Sequence, residues 1–200
     1  MTNINAYVKH VKWVGNYCGQ VPKPTTAELA AAREKLLPDV VAPGLAVLFC
    51  GINPGLYSAA TGHHFARPGN RFWPALHRSG FTPRQLDPSE QDRLPEYGLG
   101  VTNIVARATA RADELTPAEL RAGAEQLGAL AKKYLPQFVA IVGISAYRIA
   151  FSRPKATMGA QENHLGDARL WVLPNPSGLN AHYQPPALAT AFSELRKATT

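Results

Sequence analysis

The chain is 200 residues long and 46% hydrophobic, enough to bury one sizeable core and in favour of one domain over two. A formal charge of +7 and a pI near 9.6 favour a polyanionic partner, because cations set against phosphates release condensed counterions, although charge alone does not prove nucleic-acid binding. Two cysteines, Cys18 and Cys50, are too few for a disulfide framework or a four-thiolate zinc or iron–sulfur site, and no apolar run is long enough to cross a bilayer.

The opening stretch MTNINAYVKH lacks the charged, apolar and small-residue succession of a secretory signal, so a soluble, intracellular protein is expected. With Gly15, Gly19, Pro22 and Pro24, residues 1–24 read as an irregular arm, and residues 25–200 as a single domain. A helix is predicted over 24–36, opened by a capping box of Thr25 and Glu28. Four apolar runs have the length of buried strands: 46–50 (AVLFC), 100–105 (GVTNIV), 138–142 (FVAIV) and 170–173 (LWVL). A short helix follows over 70–77, with Pro74 in its first turn and Gly80 as its stop, and a longer one runs from the Thr116 cap to about Tyr134. Strands alternating with helices predict an α/β fold, a three-layer α/β/α sandwich around a short, mostly parallel sheet. In such sheets ligands bind beyond the carboxyl ends of the strands, so the loops 51–55 and 174–178 should line one crevice.

The first of these loops reads GINPG. Glycines on both sides of Asn53 let the backbone turn sharply and approach a ligand, although the segment also reads as a plain strand-ending turn. The second, PNPSGLN at 174–180, is stiffened by two prolines and ends on Leu179. Such a loop either tucks its leucine into the core or presents it as a wedge that fills the gap left by an extruded base. Phe72 and Trp73 read as core. Arg67, Arg71, Lys132, Lys133, Arg148, Arg153 and Lys155 are candidates for phosphate contacts. His63 and His64, side by side, point in different directions, and with His77 they find no partner at a familiar ligand spacing, so no metal site is expected.

Taken together, GINPGL at 51–56, Phe65, NRFW at 70–73, GVTN at 100–103 and PNPSGL at 174–179 occur in the order and approximate spacing of the mismatch-specific uracil/thymine-DNA glycosylases, and the chain resembles that family's bacterial branch over residues 47–195. The joint match is specific where no single motif is. The resemblance implies a uracil-DNA glycosylase-like fold in which Asn53 positions the attacking water and Phe65 stacks on a flipped pyrimidine. It also implies that Ile52 and Gly55 line the base site, with backbone amides near Gly55 and Phe65 receiving the base's carbonyl oxygens. Asn103 and Asn175 would stand beside the base. Gly178, Leu179 and Asn180 would enter the duplex and contact the orphaned partner base, which implies a preference for mispairs.

An amide cannot take a proton, so Asn53 can orient water but cannot be the general base, and a slow enzyme is expected. A carboxylate elsewhere could assist. The segment 86–96 is the richest source, and there Asp87 and Glu90 bracket Pro88 at capping-box spacing, leaving Asp92 as an auxiliary candidate. Two departures from the family pattern stand out. Ala106 precedes Arg107 where relatives place an acid, and Asn180, Ala181 and His182 follow Leu179 where relatives offer serine and a basic residue.

The expected activity is that of a monofunctional glycosylase without cofactor, hydrolysing the N-glycosidic bond of uracil and related pyrimidines in double-stranded DNA. It is expected to be a monomer, cytoplasmic and nucleoid-associated. The alternative is a lesion- or abasic-site-binding protein of the same fold with weak catalysis. A small-molecule hydrolase or nucleotide binder would want a glycine-rich phosphate loop or a nucleophile elbow, and residues 51–55 match neither.

Overall fold

Five strands form one sheet in the order β2-β1-β3-β5-β4 in the computed structural model, which describes residues 23–200. Of the expected N-terminal arm, residues 1–22, Cys18 among them, lie outside the described residues. The strands are β1 (Val47–Gly51), β2 (Leu99–Asn103), β3 (Phe138–Val142), β4 (Gly159–Leu165) and β5 (Ala168–Leu173). The first three and β5 run parallel, while β4 pairs antiparallel to β5 on one edge. The four predicted strands are present, each shifted by no more than two residues at either end.

The apolar runs are continuous because both faces of the sheet are covered. Alternate residues feed two cores: Val47, Phe49, Phe138, Ala140 and Val142 on one side, Leu48, Cys50, Val139 and Ile141 on the other. Helices α3 (Phe72–Arg78) and α6 (Pro185–Ala198), with a 3-10 helix over Pro88–Tyr97, cover the first face, and α4 (Pro117–Tyr134) and α5 (Ile144–Ala150) cover the second. The result is the predicted three-layer α/β/α sandwich. Phe192 of α6 stacks on Phe49 at 5.7 Å between ring centroids and has no solvent exposure, a position where truncation to alanine costs about 3–5 kcal/mol.

Local chemistry sets the helix ends. Thr25 and Glu28 form the predicted capping box of α1 (Thr26–Ala31), as Thr116 and Glu119 do for α4, which ends at Tyr134 as expected. The first helix is shorter than predicted: it passes into a 3-10 turn over Ala32–Glu34 and stops at Lys35, because Pro38 disfavours helical backbone just before it. Leu36, counted in the helix, is instead 74% exposed. Residues 56–61 form α2 (Leu56–Thr61), closed by Gly62 in the left-handed region.

The topology fixes where a ligand can sit. Strand β1 has β2 on one side and β3 on the other, so the connections diverge there and a crevice opens at its carboxyl end. The segment after β2 covers the loop after β1: Ile104, Val105 and Thr109 donate backbone hydrogen bonds to Gly51, Ile52 and Pro54.

Candidate active site

Asn53 leaves the end of β1 with its amide fixed in one orientation. Nδ2 donates to the carbonyl of Arg107 (2.9 Å) and to Thr109 Oγ1 (2.7 Å), and Thr109 in turn donates to Arg111 O (2.7 Å). A backbone carbonyl only accepts, so the nitrogen must face Arg107, and both of its hydrogens are committed. Oδ1 is left as the acceptor that Asn53 can offer to a water.

Phe65 is held on the opposite side of that opening by constraints on both its neighbours. Its φ of 53° lies in the left-handed region, which is strained for a phenylalanine and persists only where the surroundings over-determine it. Here they do. His64 N–H donates to Gln91 Oε1 (2.8 Å), Trp73 Nε1 donates to His64 O (3.1 Å), and Ala66 N–H donates to Ser58 Oγ (3.2 Å). The Phe65 ring stacks on Phe72 with centroids 4.0 Å apart and planes 21° from parallel, which leaves its other face to stack on a ligand. Among the described residues, the backbone N–H groups of Gly55 and Phe65 donate to no protein acceptor.

The floor of the site is polar. His64 is 1% exposed, with Nε2 2.9 Å from Pro38 O and Nδ1 3.3 Å from Asn103 Nδ2. Because Pro38 O only accepts, Nε2 carries the proton and the Nδ1 lone pair accepts from Asn103. Burial pushes the His64 pKa below the usual histidine value, with the Pro38 hydrogen bond and the nearby Asp39 carboxylate opposing it, so the ring is neutral at neutral pH. Asn103 therefore turns its Oδ1 to the end of β1, where a Cβ on Gly51 would lie only 2.5 Å away. Glycine at that position permits the close approach of the Asn103 and Phe65 side chains.

One cavity of about 160 Å³ is lined by Ile52, Asn53, Gly55, Phe65, Asn103 and Asn175 together, so the residues expected at the base site converge. That volume is well below the roughly 300–1,000 Å³ of pockets for drug-sized ligands and suits one small heterocycle rather than a dinucleotide. A larger, more open groove of about 590 Å³ shares Phe65, Arg67 and Asn70 with it but contains neither Asn53, Asn103 nor Asn175.

The loop after β5 borders the same cavity through Asn175 and Ser177, and both also line an adjoining cavity beside Leu179. Asn53 and Leu179 thus share one face of the molecule. Leu179 is 79% exposed, not tucked into the core. Its neighbours are turned inward. Asn175 Oδ1 accepts from Ser177 N–H (2.9 Å), Asn180 Nδ2 donates to Asn175 O (2.9 Å), and Asn180 Oδ1 accepts from His182 N–H (3.1 Å). Asn180, expected to contact a partner base, spends its amide inside the loop, so Leu179 is the one side chain of the triplet that extends from it.

Other expectations need correction. Asp92 does not line the cavity: it lies exposed on the 3-10 helix, and its neighbour Gln91 is the residue that turns in, also donating to Gly62 O at 3.0 Å. Arg71 donates to the carbonyls of Gly178, Asn180 and Tyr183 rather than standing free for phosphate, and Arg148 donates to Ala156 O. Arg107, preceded by alanine, finds its acid on α4, with Nε 2.9 Å from Glu119 Oε1. Lys132 and Lys133 end α4 at the amino edge of the sheet, away from the crevice, whereas Arg153 and Lys155 precede β4 at the carboxyl edge. Sequence reasoning missed Thr109 and Gln91, whose roles depend on contacts distant in the chain, and weighed His64 only as a metal ligand.

The sequence profile of the Uracil DNA glycosylase superfamily matches residues 38–196. The chain belongs to this superfamily. The matched span takes in the cavity and the Leu179 loop. Among solved structures the fold is similar to a solution NMR structure of a "putative Uracil DNA glycosylase" from Methanosarcina acetivorans, at 15% identity and a TM-score of 0.57, covering 82% of this chain and 98% of that one. A superfamily of DNA glycosylases accounts for a cavity sized for one base at the end of β1. No described helix is long and apolar enough to cross a membrane.

Proposed function

We propose that the chain is a monofunctional glycosylase of the mismatch-specific bacterial branch, which extrudes uracil from double-stranded DNA and hydrolyses its N-glycosidic bond. The observation that carries this reading is the Asn53 amide, whose Nδ2 is fully committed to Arg107 O and Thr109 Oγ1 while Oδ1 remains to accept from a water at the sugar. Phe65 supplies the stacking face. The N–H groups of Gly55 and Phe65 are the donors for the carbonyl oxygens of the base, which gain negative charge as the bond breaks. Preorganised donors of this kind are worth about 2.7–4 kcal/mol each in the transition state. Asn53 contributes position rather than proton transfer, so the water attacks the anomeric carbon of a sugar that already carries oxocarbenium character as the base departs with the bonding pair, and the reaction is slow.

Leu179 fills the stack that the extruded base leaves. A mispaired base costs less to extrude than one in a sound pair, which favours uracil opposite guanine. The chain acts as a monomer on duplex DNA, needs no cofactor, and resides in the cytoplasm at the nucleoid. Purified protein incubated with a uracil–guanine duplex should release free uracil and leave an abasic strand uncut until alkali is added. A duplex shifted in a gel with no uracil released would instead mark a lesion-binding protein.

A further inference from the structure

Arg71 stands at the N-terminus of α3, between the two halves of the site. Its Nη1 donates to Asn180 O (3.1 Å) and Tyr183 O (2.7 Å), its Nη2 to Gly178 O (3.2 Å), and its backbone N–H to Pro176 O (2.9 Å). One rigid guanidinium therefore ties together carbonyls on both sides of Leu179, which a single ammonium cannot span in the same way. The residues around it reach the other half. Asn70 lines the base cavity and accepts from Phe72 N–H (2.9 Å), and Phe72 carries the stacked Phe65 ring. Gly69 packs so closely under the loop that a Cβ on Gly178 would lie 2.6 Å from its carbonyl oxygen.

We infer that Arg71 is a positioning residue for duplex invasion, setting the reach of Leu179 relative to Phe65 so that the wedge enters the stack as the base is captured. The inference rests on the glycosylase reading above. Leu179 has almost no packing of its own at 79% exposure, so its position comes from the loop backbone, and the loop backbone is held by Arg71. A loop ordered beforehand does not have to be ordered during insertion. Arg71 therefore matters most where a stack must be opened, and least where the uracil is already unpaired.

The test measures single-turnover uracil release from a uracil–guanine duplex and from the same strand unpaired, for wild type, Arg71→Ala, Arg71→Lys, Leu179→Ala and the Arg71→Ala/Leu179→Ala pair. Arg71→Ala should slow the duplex reaction about tenfold or more beyond any loss on the single strand, since only the duplex demands extrusion. Arg71→Lys should not restore the rate, and the double variant should be no slower than Leu179→Ala, because the arginine acts through the leucine. Fluorescence of a 2-aminopurine beside the uracil should rise more slowly with Arg71→Ala, which a merely structural defect elsewhere does not produce. If Arg71→Ala fails to fold, Arg71→Lys carries the same comparison. Equal losses on both substrates, full rescue by lysine, or losses that multiply in the double variant overturn the inference. Wild type that releases no uracil from either substrate sinks the glycosylase reading itself.

Discussion

Asn53 Nδ2 lies 2.7 Å from Thr109 Oγ1, and this contact between residues 56 positions apart takes the amide hydrogen that the Arg107 carbonyl leaves free. Thr109 is 1% exposed and holds its own hydroxyl by donating to Arg111 O. Valine at 109 keeps the shape and removes the acceptor. Asn53 would then hold Arg107 alone and rock about that bond. Thr109→Val is expected to lower the single-turnover rate of uracil release about tenfold with little change in duplex affinity, and to cost roughly 1–3 kcal/mol of stability for the donor left unpaired in a buried site. Asn53→Ala, which removes the water acceptor altogether, should lose about a hundredfold or more. Unchanged rates in Thr109→Val would show that the amide orientation is not what the chemistry uses.

Three glycines around the site make a graded comparison. A Cβ at Gly51 meets Asn103 Oδ1 at 2.5 Å and the Phe65 ring at 3.3 Å, both ends of side chains that can move, whereas at Gly178 it meets the Gly69 carbonyl oxygen at 2.6 Å, which is backbone. At Gly55 nothing lies within 4 Å, and its φ of −72° suits any residue. Gly51→Ala is therefore expected to displace Asn103 and Phe65 and cut uracil release while the fold survives. Gly178→Ala should push the Leu179 loop off Gly69 and lower the melting temperature as well as the duplex rate. Gly55→Ala should melt within about 0.5 kcal/mol of wild type, as substitutions away from strain and packing usually do. Thermal melts and release rates on the three variants check the order.

Much of the fold is legible in the sequence. Buried parallel strands leave continuous apolar runs, so β1, β2, β3 and β5 could be read directly, and α4 announced both ends through its cap and its composition. Strand β4 left no such trace because it is an edge strand: in GAQENHL every second residue is exposed and the others are only half-buried. Helices α2 and α5 span 6 and 7 residues, too short for a periodic signal to stand out from the glycines beside them. The residues expected at the site, Asn53, Phe65, Asn103 and Asn175, are marked by their motifs, whereas Thr109 and Gln91 are not, and Arg71, though part of a motif, reads as a phosphate contact. All three act through hydrogen bonds to partners 27 to 112 positions away, and local sequence carries no record of such pairings.

Acid should act on the floor of the site before it acts on the fold as a whole. His64 has its folded-state pKa lowered by burial, so between that value and the unfolded value near 6.5 the unfolded chain binds more protons. Its contribution to stability is then complete above about pH 6.5 and is lost as pH falls through the folded value. A protonated ring would also set an Nδ1–H against Asn103 Nδ2–H, donor against donor, and turn Asn103 away. Uracil release is expected to fall as pH drops through the folded-state value, and urea melts of His64→Gln should lack the wild-type loss of stability that begins below about pH 6.5. Glu90, held down to about 2 by Arg84, the Asp87 backbone N–H and Arg93, acts lower: its contribution is present above the ordinary carboxylate value of 4.5 and fades towards pH 2. Wild-type stability that does not decline relative to His64→Gln as pH falls below about 6.5 would remove the role given to His64.

Asp92 and Gln91 are adjacent in the chain and opposite in consequence. The 3-10 helix over Pro88–Tyr97 turns Gln91 inward, where it is 7% exposed and holds His64 N–H and Gly62 O, and turns Asp92 outward into water. A carboxylate that does not border the cavity has no route to the attacking water, whatever its charge, because a general base must lie within hydrogen-bond reach or one water of the proton it takes. Asp92→Ala is thus expected to release uracil within about twofold of wild type, as an exposed substitution clear of the site should. Gln91→Ala leaves the His64 N–H without its acceptor beneath a strained Phe65, and truncations of that kind cost roughly 1–3 kcal/mol. It should therefore slow release by loosening the stacking ring and lower the melting temperature together. A large loss in Asp92→Ala with an intact Gln91→Ala would reverse the assignment and restore a carboxylate to the mechanism.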